Sequence, residues 1–476
     1  MTIKSDLKGN SGGTSVCEPP ALAEQLAGWG TKLSFDDLPA EIVTHARLRF
    51  LDSIGVALAA SSMNLGSAVL AVARAKGGVA ESTAIGTGDR LPSSEAALVN
   101  GVLVHALDYD DTHTLSITHA SASVVPTALA VGEAVGASGR EMLTAAVLGW
   151  ESVTRIGAAA PGRFHDRGFH ATGIAGAFAA TLVAGRLFGL SAQALTHALG
   201  IAGSQSAGIF EYLADGSAVK RLHPGWAAHC GIYAALLAKH GFTGPSTVFE
   251  GRFGLYNTHV GEGQYDALAV TRALGEVWET ARIAYKPYPC CHYIHAFLDC
   301  IATLQRDATL RAGEVEAVTC FIAEGQVPIV CEPSAAKLQP RSAYDAKFSL
   351  VFSVAAMLLQ GGVNVNTYTE ENIRNEDVLE LARRVRFVID RNSSFPSSFP
   401  GKVTVQTREG RTLEAVQPYN RGGPEMPLTA AEIGEKFRQN AALVFSAKRV
   451  EELRRTLLTA DDLADVQTLS PLLTME

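Results

Sequence analysis

From Ala21 to Gly275 the larger apolar residues recur at every third or fourth position within alanine-rich segments, and Gly, Pro and Asp/Ser breaks separate one segment from the next. That period predicts a run of amphipathic helices. In Glu41–Leu58, for example, Ile42, Ala46, Phe50 and Ile54 follow i, i+4 spacing and line one face. Alanine and glycine let helix axes approach closely, so the stretch Gly173–Gly185 (GIAGAFAATLVAG) predicts a helix packed on several sides. This half carries no strand pattern of similar strength.

Beyond Trp278 the texture changes. Val315–Ala323, Val385–Asp390 and Lys402–Thr407 are short β-branched runs, and the last forms a predicted hairpin with TLEAVQP across Arg408-Glu409-Gly410-Arg411. Helical pattern returns at Phe348–Gln360 and from Leu428 onward, where Thr429 and Glu432 have capping-box spacing. The expected fold is mainly α: a large all-helical domain over residues 20–283, with a second, smaller α+β domain over 284–415. The tail 416–476 is expected to complete the helical domain, although the pattern also allows it to stay with the smaller one. Residues 1–19, polar and Gly/Ser-rich without an apolar core, read as a flexible tail and not as a signal peptide.

Composition narrows the classes of function. Of 476 residues 47% are hydrophobic and 18% charged, and Lys plus Arg at 40 against Asp plus Glu at 48 gives −8. No long run of one sign offers phosphates a surface, so no nucleic-acid partner is expected. No membrane association is expected either, because the longest apolar stretch is shorter than the ~20 residues a bilayer requires. Seven cysteines in so long a chain fit a reducing cytoplasm better than a disulfide framework.

Eight of the 13 histidines fall in four polar segments. His105–Ser121 packs Asp108, Asp110, Asp111, Thr112, His113 and His119 between helices, which suits a metal site, a metal-free site or a loop that caps helix starts. His165 and His170 precede the apolar helix, so His170 is placed beside a helix N-terminus that favours a carboxylate. Lys220, Arg221 and His223 form a cationic group within four positions, either a carboxylate clamp or a solvated helix face. Lys286–His295 carries Cys290, Cys291, His292 and His295 at the junction of the two textures, where pockets commonly form. No second cysteine pair completes a zinc set, so the two cysteines read as packing residues.

Taken in order, Leu51-Asp52-Ser53-Ile54-Gly55, His105–Thr112, Thr118-His119, Gly168-Phe169-His170, Val219–Gly225, Lys286–His295 and Ala346–Leu350 resemble the MmgE/PrpD family. That family includes 2-methylcitrate dehydratases, cis-aconitate decarboxylases and an iminodisuccinate epimerase. The resemblance covers most of the chain and implies a homodimer without cofactor or metal, whose pocket lies between the two domains. Carried over by position, Asp108, His119, His170 and Lys220 are implied as catalytic, and Thr112, His223, Lys286 and His295 as substrate-binding. Phe352 falls where the decarboxylases carry a tyrosine, and phenylalanine cannot donate a proton.

The reactions of the family share proton transfer at a carbon next to a carboxylate, which needs a base and cations that stabilise the developing charge. His170 or His119 is expected to take the proton, Asp108 to orient an imidazole, and Lys220 and His295 to hold carboxylates. The expected activity is dehydration of a 2-methylcitrate-type tricarboxylate. Epimerisation of an imino-dicarboxylate ranks second, and decarboxylation of cis-aconitate or silent binding of polycarboxylates ranks below it.

Overall fold

A computed structural model describes residues 19–475. The predicted N-terminal tail therefore lies almost wholly outside the described residues.

The helical part is built around the helix Ala171–Leu187, in which every residue from Ala171 to Gly185 is buried. Helices Ser121–Val135, Gly139–Ala158, Ala192–Gly203 and Leu222–Lys239 surround it. Small residues set the spacing. A Cβ on Gly231 would stand 2.4 Å from that of Ala180, and a Cβ on Gly101 would stand 2.6 Å from the Cα of Gly225. The second approach presses Ser93–His105 against Leu222–Lys239 and brings the C-terminal end of one helix close to the start of the other.

The smaller part has its own apolar core and a four-stranded sheet. Val315–Ile322 lies between a parallel neighbour, Val385–Ile389, and an antiparallel one, Gly401–Thr407, which continues into Thr412–Gln417. Inward residues alternate along the central strands, with Val403 and Val405 fully buried. The hairpin forms with Gly410 in the left-handed region at φ 83°, as a tight return requires. Helices His292–Asp307 and Leu350–Gln360 cover the buried face.

The C-terminal helices pack on the helical part. Thr429 and Glu432 close the capping box, and the helix Ala430–Ala441 then lies along Ala40–Ser62. Gly55 makes room for Phe437, since a Cβ there would stand 3.0 Å from the Phe437 ring and 3.3 Å from its Cα. Asp52 accepts an ion pair from Lys436 at 2.7 Å. The Leu51–Gly55 segment is thereby explained as the seat of the returning tail.

Two details depart from the pattern. The helix expected from Phe348 begins at Leu350, because the Ser349 side chain accepts from the Phe352 N–H and caps it there. Phe348 is left free to face the cavity described below. Strand pairing also enters the helical half, as two-residue pieces at Ser82–Thr83, Arg90–Leu91 and Thr112–His113. Among the described residues no single helix is long and apolar enough to cross a membrane.

Candidate active site

A cavity of about 520 Å³ lies between the helical part and the sheet-bearing part, and Asp108, Thr112, His119, His170, Lys220 and Lys286 all stand on its wall. The loop after Ser93–His105 carries the first three. Thr112-His113 pairs antiparallel with Ile283-Ala284, which holds that loop against the segment leading to Lys286. Arg49, fully buried, ties the same place together by donating to Asp111 at 2.9 Å and to the Thr280 and Ile283 carbonyls. From the other side Lys436 donates to the Tyr109 carbonyl at 2.8 Å. The site loop is thus clamped by one cation from an early helix and another from the tail.

Asp108 sits at φ 52°, an uncommon conformation for a non-glycine residue and one concentrated at functional sites. Its Oδ1 receives Lys220 Nζ at 2.7 Å. Lys286 Nζ donates to its carbonyl at 3.0 Å and stands 3.4 Å from Oδ2. Burial alone would raise the Asp108 carboxyl, but the two ammonium groups outweigh it and hold the group well below the usual carboxylate range. Burial would likewise lower the Lys220 ammonium, and Asp108 holds it above its ordinary value instead. A carboxylate flanked by two cations is the stable state of this corner.

The expectation that Asp108 orients an imidazole is corrected by this geometry, because its oxygens are turned to the lysines. Asp110 performs that task. Its Oδ2 lies 2.8 Å from His105 Nδ1 and 3.5 Å from His119 Nδ1. His119 Nδ1 also lies 3.0 Å from the Asp111 carbonyl, which can only accept, so this nitrogen carries the proton and Nε2 carries the lone pair. Burial, then Lys286 and Lys220, push the His119 pKa well below 6.5, which keeps the ring neutral. His170 is likewise held well below 6.5 by burial and Lys220, and its Nδ1 faces His223 Nδ1 at 3.0 Å. One of that pair donates and the other accepts, so together they can pass a proton.

The structure separates the remaining candidates. His223 is buried behind His170 and supports it without reaching the cavity wall. His295, expected to hold a carboxylate, is fully buried one helical turn behind His292, and its Nε2 lies 3.1 Å from the Cys290 carbonyl. His292 and Cys291 stand on the wall in its place, since the helix starts at His292 and its first turn faces the cavity. Burial pushes the Cys291 thiol up to about 11 and that of Cys290 up to about 12, so neither is an activated nucleophile. Lys220 is buried rather than solvated, while Arg221 turns away to stack on Tyr344 at 4.3 Å. Phe352 packs on Tyr368, off the cavity wall.

His105 and Asp110 complete the cluster, although the residue pattern marked them only as members of a polar loop. The His105 ring centroid is 4.6 Å from that of His119 and 5.7 Å from that of His170. His105, Asp108, Asp110 and His119 each offer a ligand atom, all within 4.8 Å of one another, so the donor set can hold a cation. Lys220 and Lys286 act against that use, because both already occupy Asp108.

The cavity thus gathers two lysines, two carboxylates and a set of neutral imidazoles at the junction of a helical and an α+β unit. The chain belongs to the MmgE/PrpD family. The model of the MmgE/PrpD N-terminal domain matches residues 24–268 and that of the C-terminal domain matches 288–462. Among curated relatives, a cis-aconitate decarboxylase-like protein, oryM, of Aspergillus oryzae is 27% identical over 95% of this chain and 97% of its own length. The cis-aconitate decarboxylase of Aspergillus terreus is 26% identical over 95% and 96%. That of Homo sapiens is 28% identical over 93% and 92%.

Proposed function

We propose that the chain is a lyase that abstracts a proton next to a carboxylate of a small di- or tricarboxylate, in the manner of a 2-methylcitrate-type dehydratase. The observation that carries this reading is the neutral His119, whose tautomer is set by the Asp111 carbonyl so that Nε2 is a base, in the same cavity as the Lys220–Asp108–Lys286 group. Lys220 and Lys286 stabilise the charge that gathers on the substrate carboxylate as the proton leaves. His119 takes that proton and, as the imidazolium so formed, returns it to the departing hydroxide, while His170, backed by His223, lines the same cavity as a neutral relay.

Decarboxylation is the second reading, and the names of the relatives favour it. In that reaction the carbanion left by CO2 must be protonated, and Phe352 supplies no hydroxyl for it; Tyr212 and Tyr293 are then the phenols on the cavity wall. Epimerisation of an imino-dicarboxylate would use His119 and His170 on opposite faces of one carbon.

Proton NMR of chelator-treated enzyme in heavy water separates the three. An olefin from 2-methylcitrate or citrate is the expected result. Release of CO2 from cis-aconitate establishes the second reading, and scrambling of iminodisuccinate with no new olefin establishes the third. Failure of every one of these acids to dehydrate, lose CO2 or exchange its C–H removes the proton-transfer scheme.

A further inference from the structure

The cavity has two unlike ends. The acid–base and charged groups already described occupy one, with Phe348 4.9 Å from Lys220 and Phe210 5.6 Å from His170 among them, and the other is formed by Ile329, Phe395 and Phe399 from the sheet-bearing part. The aromatic part of this second wall is a packed assembly. Tyr293 meets Phe399 at 4.9 Å and Phe395 at 5.5 Å, both edge-on, and Phe395 and Phe399 lie 5.7 Å apart. Gly325 allows it, because a Cβ there would fall 2.8 Å from the Phe395 ring.

Size and charge point the same way. A cavity of about 520 Å³ lies within the ~300–1,000 Å³ that encloses drug-sized ligands, well beyond what a six-carbon acid fills. Its cations are Lys220, Lys286 and Arg163. Asp108 already pairs with the first two and Asp166 pairs with Arg163 at 3.2 Å. A further carboxylate would find these cations already paired, whereas an apolar group against Ile329, Phe395 and Phe399 would remove both itself and the wall from water.

We propose that this wall receives an apolar arm, so that the substrate is a small carboxylic acid with at least one further carboxylate and an alkyl or aryl substituent of several carbons. The inference rests on the carboxylate reading of the polar end given above. In this arrangement the charged head lies against Lys220 and Lys286, the reacting C–H faces His119, and the arm runs over Ile329 and Phe395. Preference for chain length is then set by the sheet-bearing part of the protein, and chemistry mainly by the helical part.

Calorimetric binding of a 2-alkylsuccinate series, from methyl to octyl, tests the arm without requiring turnover. Affinity is expected to rise roughly two- to fourfold per methylene until the wall is covered, in line with ~0.8 kcal/mol per buried CH2. Ile329→Thr and Phe395→Ser, both at half-buried positions, are expected to flatten the rise. A flat or falling series, or no binding by any member, overturns the proposal, and a rise unaffected by either variant overturns its placement on this wall. The heavy-water experiment, run on the same acids, keeps the two readings apart. Deuterium exchange with a flat series removes the arm alone, and a rising series without exchange keeps the arm and removes the proton chemistry.

Discussion

Lys220 Nζ and Asp108 Oδ1 meet at 2.7 Å across 112 positions of sequence, and both side chains are buried. The contact joins the loop that ends one helix to the turn that starts another, and it exists because Gly101 and Gly225 let those helices touch. The charge state of the corner and the packing of the helical part therefore meet at one ion pair, where the proposed function places the substrate carboxylate.

Lys220→Ala removes a cation from the developing charge. Loss of one such group costs about 10²–10³ in rate. The expected result is a fall of that order in kcat/KM for whichever acid proves to be the substrate, with the folded structure kept by the second lysine at Asp108. Wild-type kinetics in this variant would take Lys220 out of the reaction.

Acid sensitivity of folding follows from two other histidines. His292 is buried and His165 half-buried, and desolvation pushes each down to about 3, whereas unfolding returns them to 6.5. Above pH 6.5 both states are neutral. Below it the unfolded chain takes up protons that the folded chain refuses, so stability falls as pH drops from 6.5 towards 3, by up to ~1.4 kcal/mol per pH unit for each histidine. Urea unfolding between pH 7 and 5 measures this slope, and a flat profile would contradict the neutral state of these rings.

The acid limb of kcat/KM is set by the base. His119 is held well below 6.5, so it stays a base as the solution becomes mildly acidic. Activity is expected to persist below pH 6.5, and a limb at or above that value would point to a different base.

Lys436→Met tests the returning tail. The substitution leaves Asp52 buried without its partner, a change that costs about 3–5 kcal/mol, and frees the Tyr109 carbonyl. A lowered Tm is expected, with partial recovery when Asp52→Asn is added. Unchanged stability in the single variant would mean that the tail does not hold the site loop.

Gly225→Ala tests the helix contact beneath the site. Its Cβ would fall 2.4 Å from the Leu98 carbonyl, so the helices must separate, at about 1–3 kcal/mol for overpacking. Because Lys220 and His223 stand at the start of that helix, kcat/KM is expected to fall together with Tm. A loss of stability with full activity would show that the site tolerates the displacement.

Much of the fold is legible along the chain because its signals are local. The apolar period of Glu41–Leu58, the Thr429–Glu432 box and the Gly410 hairpin each depend on residues within a turn or two of one another. The ordered motifs from Leu51 to Leu350 were enough to place the chain in its family. The roles of single residues were less legible. Asp108 and Asp110 are two positions apart with the same side chain, yet one binds lysines and the other imidazoles, because the left-handed backbone at Asp108 turns its carboxylate away.

Periodicity, capping and turn chemistry act between neighbours and are therefore written in the order of residues, so the helical texture, the hairpin and the polar segments belong to the sequence. The seating of the tail on Gly55 and Asp52, the retreat of His295 behind His292 and the meeting of an acid–base corner with an aromatic wall belong to the tertiary structure. Each depends on contacts between segments distant in the chain, where close packing leaves room for one arrangement.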